Sequence, residues 1–263
     1  MSTPSKTLQA MLSAAHDAGA GLVADQRTLA TLTIERKGVS DFFSAADVKA
    51  EETVRRHLEA FAPTYGFLGE EGGLIPGSDP DHVWVVDPLD GTTNFLTNTP
   101  LWAVNIALAR QGEVIAGVTW CPALNEMFRA ELGQGAFLND KAIRVSTRDK
   151  LEDAVLAVGI PFAAKPEHER FRNEMAALTH RVAGIRRLGA GAIDLAWVSC
   201  GRFEAYWEQK VSAWDMGAGA ILVREAGGIV TDTLGGPLDL HNGTVLGTNA
   251  ILHDQILEAI RPQ

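Results

Sequence analysis

The chain is poor in the residues that cross-link a fold, span a bilayer or bind nucleic acid. Of its 263 residues only two are cysteines, Cys121 and Cys200, far apart and with no metal-spaced histidine beside them. A disulfide framework and a structural zinc site are therefore not expected, and both thiols should be reduced and buried in a cytoplasmic protein. No apolar run reaches the roughly 18 residues that cross a membrane, because Asp, Asn, Arg or Gly interrupts every candidate, including the Ala-rich stretch from Ala190 to Gly201. After Lys6 the chain reads Thr7-Leu8-Gln9-Ala10-Met11-Leu12-Ser13, too polar for a secretory core, so no export signal is expected. Basic residues are also in deficit, 23 against 33 acidic, for a formal charge of -10. Phosphate-backbone affinity rests on clustered Lys and Arg, so direct nucleic-acid binding is not expected. Part of the acidic excess has a use if carboxylates converge on hard cations.

What is present is a globular composition, 46% hydrophobic and 21% charged, with no internal repeat and no Gly/Ser linker. Leu8, Met11, Leu12, Ala15 and Leu22 recur at helical spacing and predict a helix from about Lys6 to Val23. Thr31 to Glu35 alternates like a strand, which Lys37-Gly38 should break. Ser44 and Asp47 have the form of a capping box, with Ala50, Val54, Leu58 and Phe61 following on one helical face until Pro63. The run Val83-Trp84-Val85-Val86 predicts a buried strand, and Ala103–Ala109, Val114–Cys121 and Glu126–Leu132 predict an antiparallel sheet joined by short turns. Beyond Leu151 the texture becomes α/β: a strand at Ala154–Val158, then helical patterns at Glu167–Leu178, Ala190–Ser199 and Trp214–Ala226. Two halves are expected, 1–148 with an antiparallel sheet and most of the acidic candidates, and 149–263 completing the site and its rim.

The chemistry concentrates in Asp87-Pro88-Leu89-Asp90-Gly91-Thr92-Thr93-Asn94-Phe95. Pro88 lacks an N–H and should stop the strand, turning the chain where Asp87 and Asp90 stand three residues apart. Two carboxylates on one turn repel each other unless a cation lies between them, although an Asx-turn accounts for either aspartate alone. Gly91 permits close backbone approach to a ligand, and Thr92-Thr93-Asn94 can open a helix whose N–H groups face an anion. Glu70-Glu71 adds two more carboxylates after a strand-like run. Asp215, in Trp214-Asp215-Met216-Gly217-Ala218-Gly219-Ala220, is either a further ligand or simply a helix cap. The seven histidines are scattered without metal-ligand spacing, and no Cys or His sits where a nucleophile is needed.

Gly69-Glu70-Glu71, the segment Asp87–Phe95, Trp214–Gly219 and Arg224-Glu225-Ala226-Gly227-Gly228 together resemble the inositol monophosphatase family, in order and over essentially the whole chain to Asn249. The resemblance implies a layered αβαβα sandwich of the sugar-phosphatase type, mixing α+β and α/β character. It also implies a Mg2+-dependent, lithium-sensitive phosphomonoesterase, working as a cytoplasmic homodimer on a small-molecule phosphomonoester. Matched position by position, Glu70, Asp87 and the carbonyl of Leu89 resemble the ligands of one Mg2+, and Asp87, Asp90 and Asp215 those of a second, with two or three ions per subunit. The attacking group is then a metal-activated water, oriented by Thr92 with Asp47 and served by Glu70. The amides of Gly91 and Thr92 bind phosphate oxygens, and Asp215, Glu208 and Arg186 contact substrate. Phe42-Phe43 and Gln209-Lys210 depart from the family pattern and are expected to reshape the substrate rim. Myo-inositol 1-phosphate and related polyol phosphates are the expected substrates. The alternatives are histidinol phosphate, or a role as a partner of the transcription antitermination machinery.

Overall fold

The first helix, α1 (Lys6–Gln26), opens where Ser5 Oγ accepts the Leu8 N–H at 3.1 Å. It buries Leu8, Met11, Ala14, Ala15, Ala18 and Leu22, one stripe at helical period. The computed structural model describes residues 3–28, 34–38, 41–161 and 166–262, with side chains described outside 29–44. A short antiparallel hairpin, β1 (Ile34–Gly38) and β2 (Asp41–Ser44), leads into α2 (Ala45–Phe61). Here the expectation for Lys37-Gly38 is corrected: both lie inside β1, because the register shifts between Arg36 and Gly38 and a bulge accommodates glycine. Thr31–Thr33 and the side chains of Phe42-Phe43 lie outside the described residues.

The larger sheet is built from β3 (Gly66–Gly69), β4 (Gly73–Ile75), β5 (His82–Asp90), β6 (Ala103–Arg110), β7 (Glu113–Cys121), β8 (Glu126–Glu131), β9 (Gly135–Leu138) and β10 (Lys141–Ala142). Its order is β10-β9-β8-β7-β6-β5-β3-β4, antiparallel except where β3 runs parallel to β5. The second sheet takes β11 (Val155–Val158), β12 (Gly184–Arg186), β13 (Ala205–Gln209), β14 (Ile229–Thr231) and β15 (Thr244–Thr248), in the order β12-β11-β13-β15-β14. Five helices complete the described chain: α3 (Thr92–Leu96), α4 (His168–Leu178), α5 (Gly191–Ser199), α6 (Ala213–Glu225) and α7 (His253–Ile260).

Strand alternation distributes side chains among three cores and so fixes the layers. Trp84 and Val86 of β5 join α1 and α2 on one face of the large sheet. Val85 faces the other way, into a core shared with α5, α6 and the second sheet. Ala205 and Trp207 of β13 pack with α4 and α7 on the outer face. The result is a five-layer αβαβα sandwich with α5 and α6 in the middle. Those two helices lie close because Gly219 has no side chain: a Cβ there would stand 2.4 Å from that of Leu195. A fully buried Leu, Val or Ile contributes about 1.5–3 kcal/mol, so the many fully buried residues of the central core, Ile193, Leu195 and Leu222 among them, hold the layers together. Both cysteines are free thiols, but only Cys121 is buried. Cys200, at the end of α5, is partly exposed. No described helix is long and apolar enough to cross a membrane.

Candidate active site

β5 carries the site because its pattern sends alternate residues to opposite faces, and Asp87 follows Val85 toward the middle layer, 2% exposed. Pro88 does not stop the strand. β5 runs on to Asp90, and its pairing with β6 shifts between Asp87 and Asp90, so the missing N–H falls in a bulge where no ladder partner is owed. Within that bulge the Leu89 N–H donates to Asp87 Oδ1 at 2.9 Å. The Asx-turn is thus present, and it occupies only one of the two carboxylate oxygens. Gly91 follows at φ 87°, where a Cβ would also lie 2.9 Å from the Leu101 carbonyl oxygen, so only glycine fits.

Long-range contacts then gather the other groups. Asp90 Oδ2 accepts the Ala192 N–H in the first turn of α5 at 2.8 Å. Thr92 Oγ1 lies 3.1 Å from the Leu89 carbonyl and 3.3 Å from Oδ1 of the buried Asp47, sharing one proton between two acceptors. Asp215 sits in the first turn of α6 and its Oδ2 accepts the Ser212 N–H at 2.7 Å, so it serves the capping box and faces the cleft at once. Glu70 follows β3, its N–H held by the Val86 carbonyl at 3.1 Å. Behind it, the two carboxylate oxygens of Glu51 accept the Glu71 and Gly72 N–H groups at 2.8 and 2.7 Å, fixing the loop that presents Glu70.

Glu70, Asp87, Leu89, Asp90, Gly91, Thr92 and Asp215 line a cleft of 490 Å3 together with residues of the second half, while Asp47 and Glu51 are not among its lining residues. One ligand oxygen from each of Asp87, Asp90 and Asp215 lies within 4.8 Å of the others. Burial, followed by the facing charges of Glu70, Asp90 and Asp215, pushes the Asp87 carboxyl well above the usual carboxylate range. Burial and then Asp215 do the same to Asp90, against the Ala192 N–H. Carboxylates crowded in this way are in the state that a hard cation relieves.

Of the substrate-side residues expected from sequence, Glu208 lines the cleft and Arg186 does not. Arg186 ends the edge strand β12 with its side chain exposed, and its Nη1 reaches back to the Ile185 carbonyl at 3.2 Å. The chain leaves the sheet one residue later, which places Arg187 on the cleft wall instead. Gln209 also departs from expectation. Alternation along β13 turns Trp207 and Gln209 away from the cleft, and both donate to the buried Glu174 of α4, at 2.9 and 3.1 Å. Lys210, the other member of that pair, does line the cleft.

Sequence reasoning passed over several residues that build the site. Asn105 Nδ2 donates to the Trp214 carbonyl at 2.6 Å, and its Oδ1 accepts from Thr119, tying β6 to the start of α6. An asparagine inside an otherwise apolar strand was the available signal. Asn94 Nδ2 bridges the carbonyls of Leu101 and Leu188 at 2.7 and 2.9 Å, joining α3 to the segment after β12. Asp194 of α5 also lines the cleft.

Comparison with known proteins places this geometry among relatives. A sequence model described as the inositol monophosphatase family matches residues 5–263. A Caulobacter vibrioides protein named inositol-1-monophosphatase is 47% identical over 254 residues, 95% of this chain and 99% of that one. A Pseudomonas aeruginosa protein named Nus factor SuhB is 40% identical over 259 residues, 97% of this chain and 96% of that one. The crystal structure of the Bartonella henselae extragenic suppressor protein suhB superposes with a TM-score of 0.95 at 43% identity, over 98% of this chain and 99% of that one.

Proposed function

Because this chain belongs to the inositol monophosphatase family and is on that ground a phosphomonoesterase, we propose that it hydrolyses myo-inositol monophosphates and related polyol phosphates with bound Mg2+. The observation that carries this reading is the convergence of Asp87, Asp90 and Asp215 within 4.8 Å in a polar cleft. The donor set fits the ion: carboxylates and one backbone carbonyl, all hard oxygens, with no thiolate or imidazole among them. Glu70, Asp87 and the Leu89 carbonyl would hold one ion, and Asp87, Asp90 and Asp215 a second. Bound Mg2+ supplies neutralising charge for the phosphoryl group and a more acidic water.

The chain's own residues do the rest. The Thr92 hydroxyl, backed by Asp47 at 3.3 Å, orients the attacking water and offers its proton a route to a buried carboxylate. Glu70 serves the same water. The amides of Gly91 and Thr92 hold phosphate oxygens, which fixes the ester for in-line displacement. Asp215 and Glu208 receive the leaving alcohol. Direct attack by water fits a described cleft that no Cys or His lines. The same reading makes the working form a cytoplasmic, lithium-sensitive homodimer.

The test is phosphate release from inositol 1-phosphate, glycerol 2-phosphate, histidinol phosphate and fructose 1,6-bisphosphate, with and without Mg2+. Turnover that needs Mg2+ and favours inositol 1-phosphate is expected. Preference for histidinol phosphate would move the substrate, and rates independent of Mg2+ would overturn the metal assignment.

The name Nus factor SuhB, carried by relatives at 40 and 37% identity, supports a second reading in which the chain also binds a transcription complex. Capture of transcription factors from a lysate by wild type and by Asp90→Asn checks it. Equal capture by both separates binding from catalysis, and no capture by either removes this role.

A further inference from the structure

Glu51 is a buried carboxylate with no part in the chemistry above. It stands on α2 in a buried stripe with Ala46, Ala50, Val54 and Leu58, where an apolar side chain would pack without the cost of taking a charge out of water. Asp47, one turn earlier on that face, lies 3.3 Å from Thr92 Oγ1. One helix thus bears on two of the groups assigned to the reaction, through Asp47 on Thr92 and through Glu51 on the turn that carries Glu70.

That turn is held at every amide. Gly69 and Gly73 pair across the β3–β4 hairpin, leaving Glu70, Glu71 and Gly72 as its loop. The Glu70 N–H donates to the Val86 carbonyl of β5 at 3.1 Å, and the Glu71 and Gly72 N–H groups donate to Oε2 and Oε1 of Glu51 at 2.8 and 2.7 Å. Missing side chains keep room for the carboxylate: a Cβ on Gly69 would collide with Oε2, and one on Gly72 would stand 2.8 Å from Oε1. Glu51 itself does not line the cleft, so its influence there passes through Glu70. A glutamine in its place would keep one acceptor oxygen and turn an NH2 toward the second donor, releasing one end of the turn.

We propose that Glu51 is a positioning residue for the ion assigned to Glu70, Asp87 and the Leu89 carbonyl: by gripping the turn after β3, it fixes where the Glu70 carboxylate stands. The proposal rests on the Mg2+ assignment given above and deepens it. Mg2+ demands near-octahedral oxygen geometry with little tolerance in distance, and outer partners that orient a ligand typically govern metal affinity by about 10–100-fold. The ion assigned to Asp87, Asp90 and Asp215 takes no ligand from the turn and should respond far less.

The test is calorimetric titration of Mg2+ into wild type, Glu51→Gln and Gly72→Ala, with Leu74→Ala, at an exposed position on β4, as a control in the same hairpin. Glu51→Gln should weaken one binding event about tenfold or more and leave the other within about twofold. Gly72→Ala, which presses on Oε1, should do the same in smaller measure, and it decides the matter if the first variant does not fold. In a Glu70→Ala background the effect of Glu51→Gln should vanish. In phosphate release, the Mg2+ requirement of Glu51→Gln should rise by the same factor while saturating Mg2+ restores most of the rate, which a general loss of structure would not allow. Unchanged Mg2+ affinity, an equal loss in Leu74→Ala, or a full effect without Glu70 would overturn the proposal. Wild type that binds Mg2+ and loses affinity in this pattern, yet releases no phosphate, would sink the hydrolase reading and leave the positioning role standing. Wild type that binds no Mg2+ would sink both.

Discussion

Asp90→Asn is expected to lower Mg2+-dependent phosphate release by about 1,000-fold or more while leaving the fold intact. The side chain is shared between two tasks, and the substitution separates them. Its Oδ2 accepts the Ala192 N–H at 2.8 Å, a bond that the asparagine carbonyl can also accept. What is lost is one negative charge from a group whose oxygens lie within 4.8 Å of those of Asp87 and Asp215. Metal charge on a transferring phosphoryl group contributes several kcal/mol, and about 4 kcal/mol corresponds to three orders of magnitude in rate. Meanwhile the repulsion from Asp215 that raises the Asp90 carboxyl disappears, so the metal-free variant should melt no earlier than wild type. Colorimetric phosphate release at saturating Mg2+, beside a thermal melt, checks both halves. Turnover near that of wild type would remove Asp90 from the chemistry.

The second large effect concerns stability. Asp87 and Asp90 are held well above the ordinary carboxylate range, chiefly by burial and then by neighbouring carboxylates. Their folded-state values exceed the unfolded value of about 3.9, so the folded form is the one that prefers to keep the protons. Without metal, the chain is free of this penalty below about pH 4 and loses stability as pH rises toward the folded values, beyond which the loss is constant. On the proposed assignment, Mg2+ would bind the ionised carboxylates and offset the loss. The increase in thermal midpoint on adding Mg2+ should therefore be larger at pH 8 than at pH 5. At a hundredfold excess over Kd the stabilisation is about 2.7 kcal/mol, or about 5–10 °C for a chain of this size. Scanning calorimetry at the two pH values with EDTA or Mg2+ measures it. A shift of equal size at both would break the link between these carboxylates and the ion.

Where local chemistry decides, the sequence was sufficient. The helices α1, α2 and α6 follow from periodicity and the antiparallel order of β5 to β8 from strand pattern and turn residues, while the Ser44 cap lies outside the described side chains. Pro88 was misread because a bulge is a two-strand feature: whether a missing N–H ends a strand depends on what β6 offers opposite it. Arg186 and Arg187 differ by one residue, and only the point where β12 leaves the sheet decides which one faces the cleft. Asp194 lay hidden in a run read as an apolar helix. Its meaning depends on a contact between α5 and Asp90, 102 positions apart in the chain. Glu51 and the side-chain role of Asn94 were silent for the same reason: their partners are backbone groups that only the folded chain brings near.

The central core has a consequence for how the cleft admits ligands. Val85 and Ala107 of the large sheet, Leu195 and Ile221 of the middle helices, and Tyr206 and Val245 of the second sheet belong to one continuous apolar body. Swinging one sheet away from the other would tear that body open and expose it to water, which is prohibitively costly at about 25 cal/mol for each Å2 of apolar surface. The two sheets therefore do not swing apart like a jaw to admit a ligand. The walls that the two sheets and the middle helices give the cleft are thus set by strand register and helix spacing before any ester arrives.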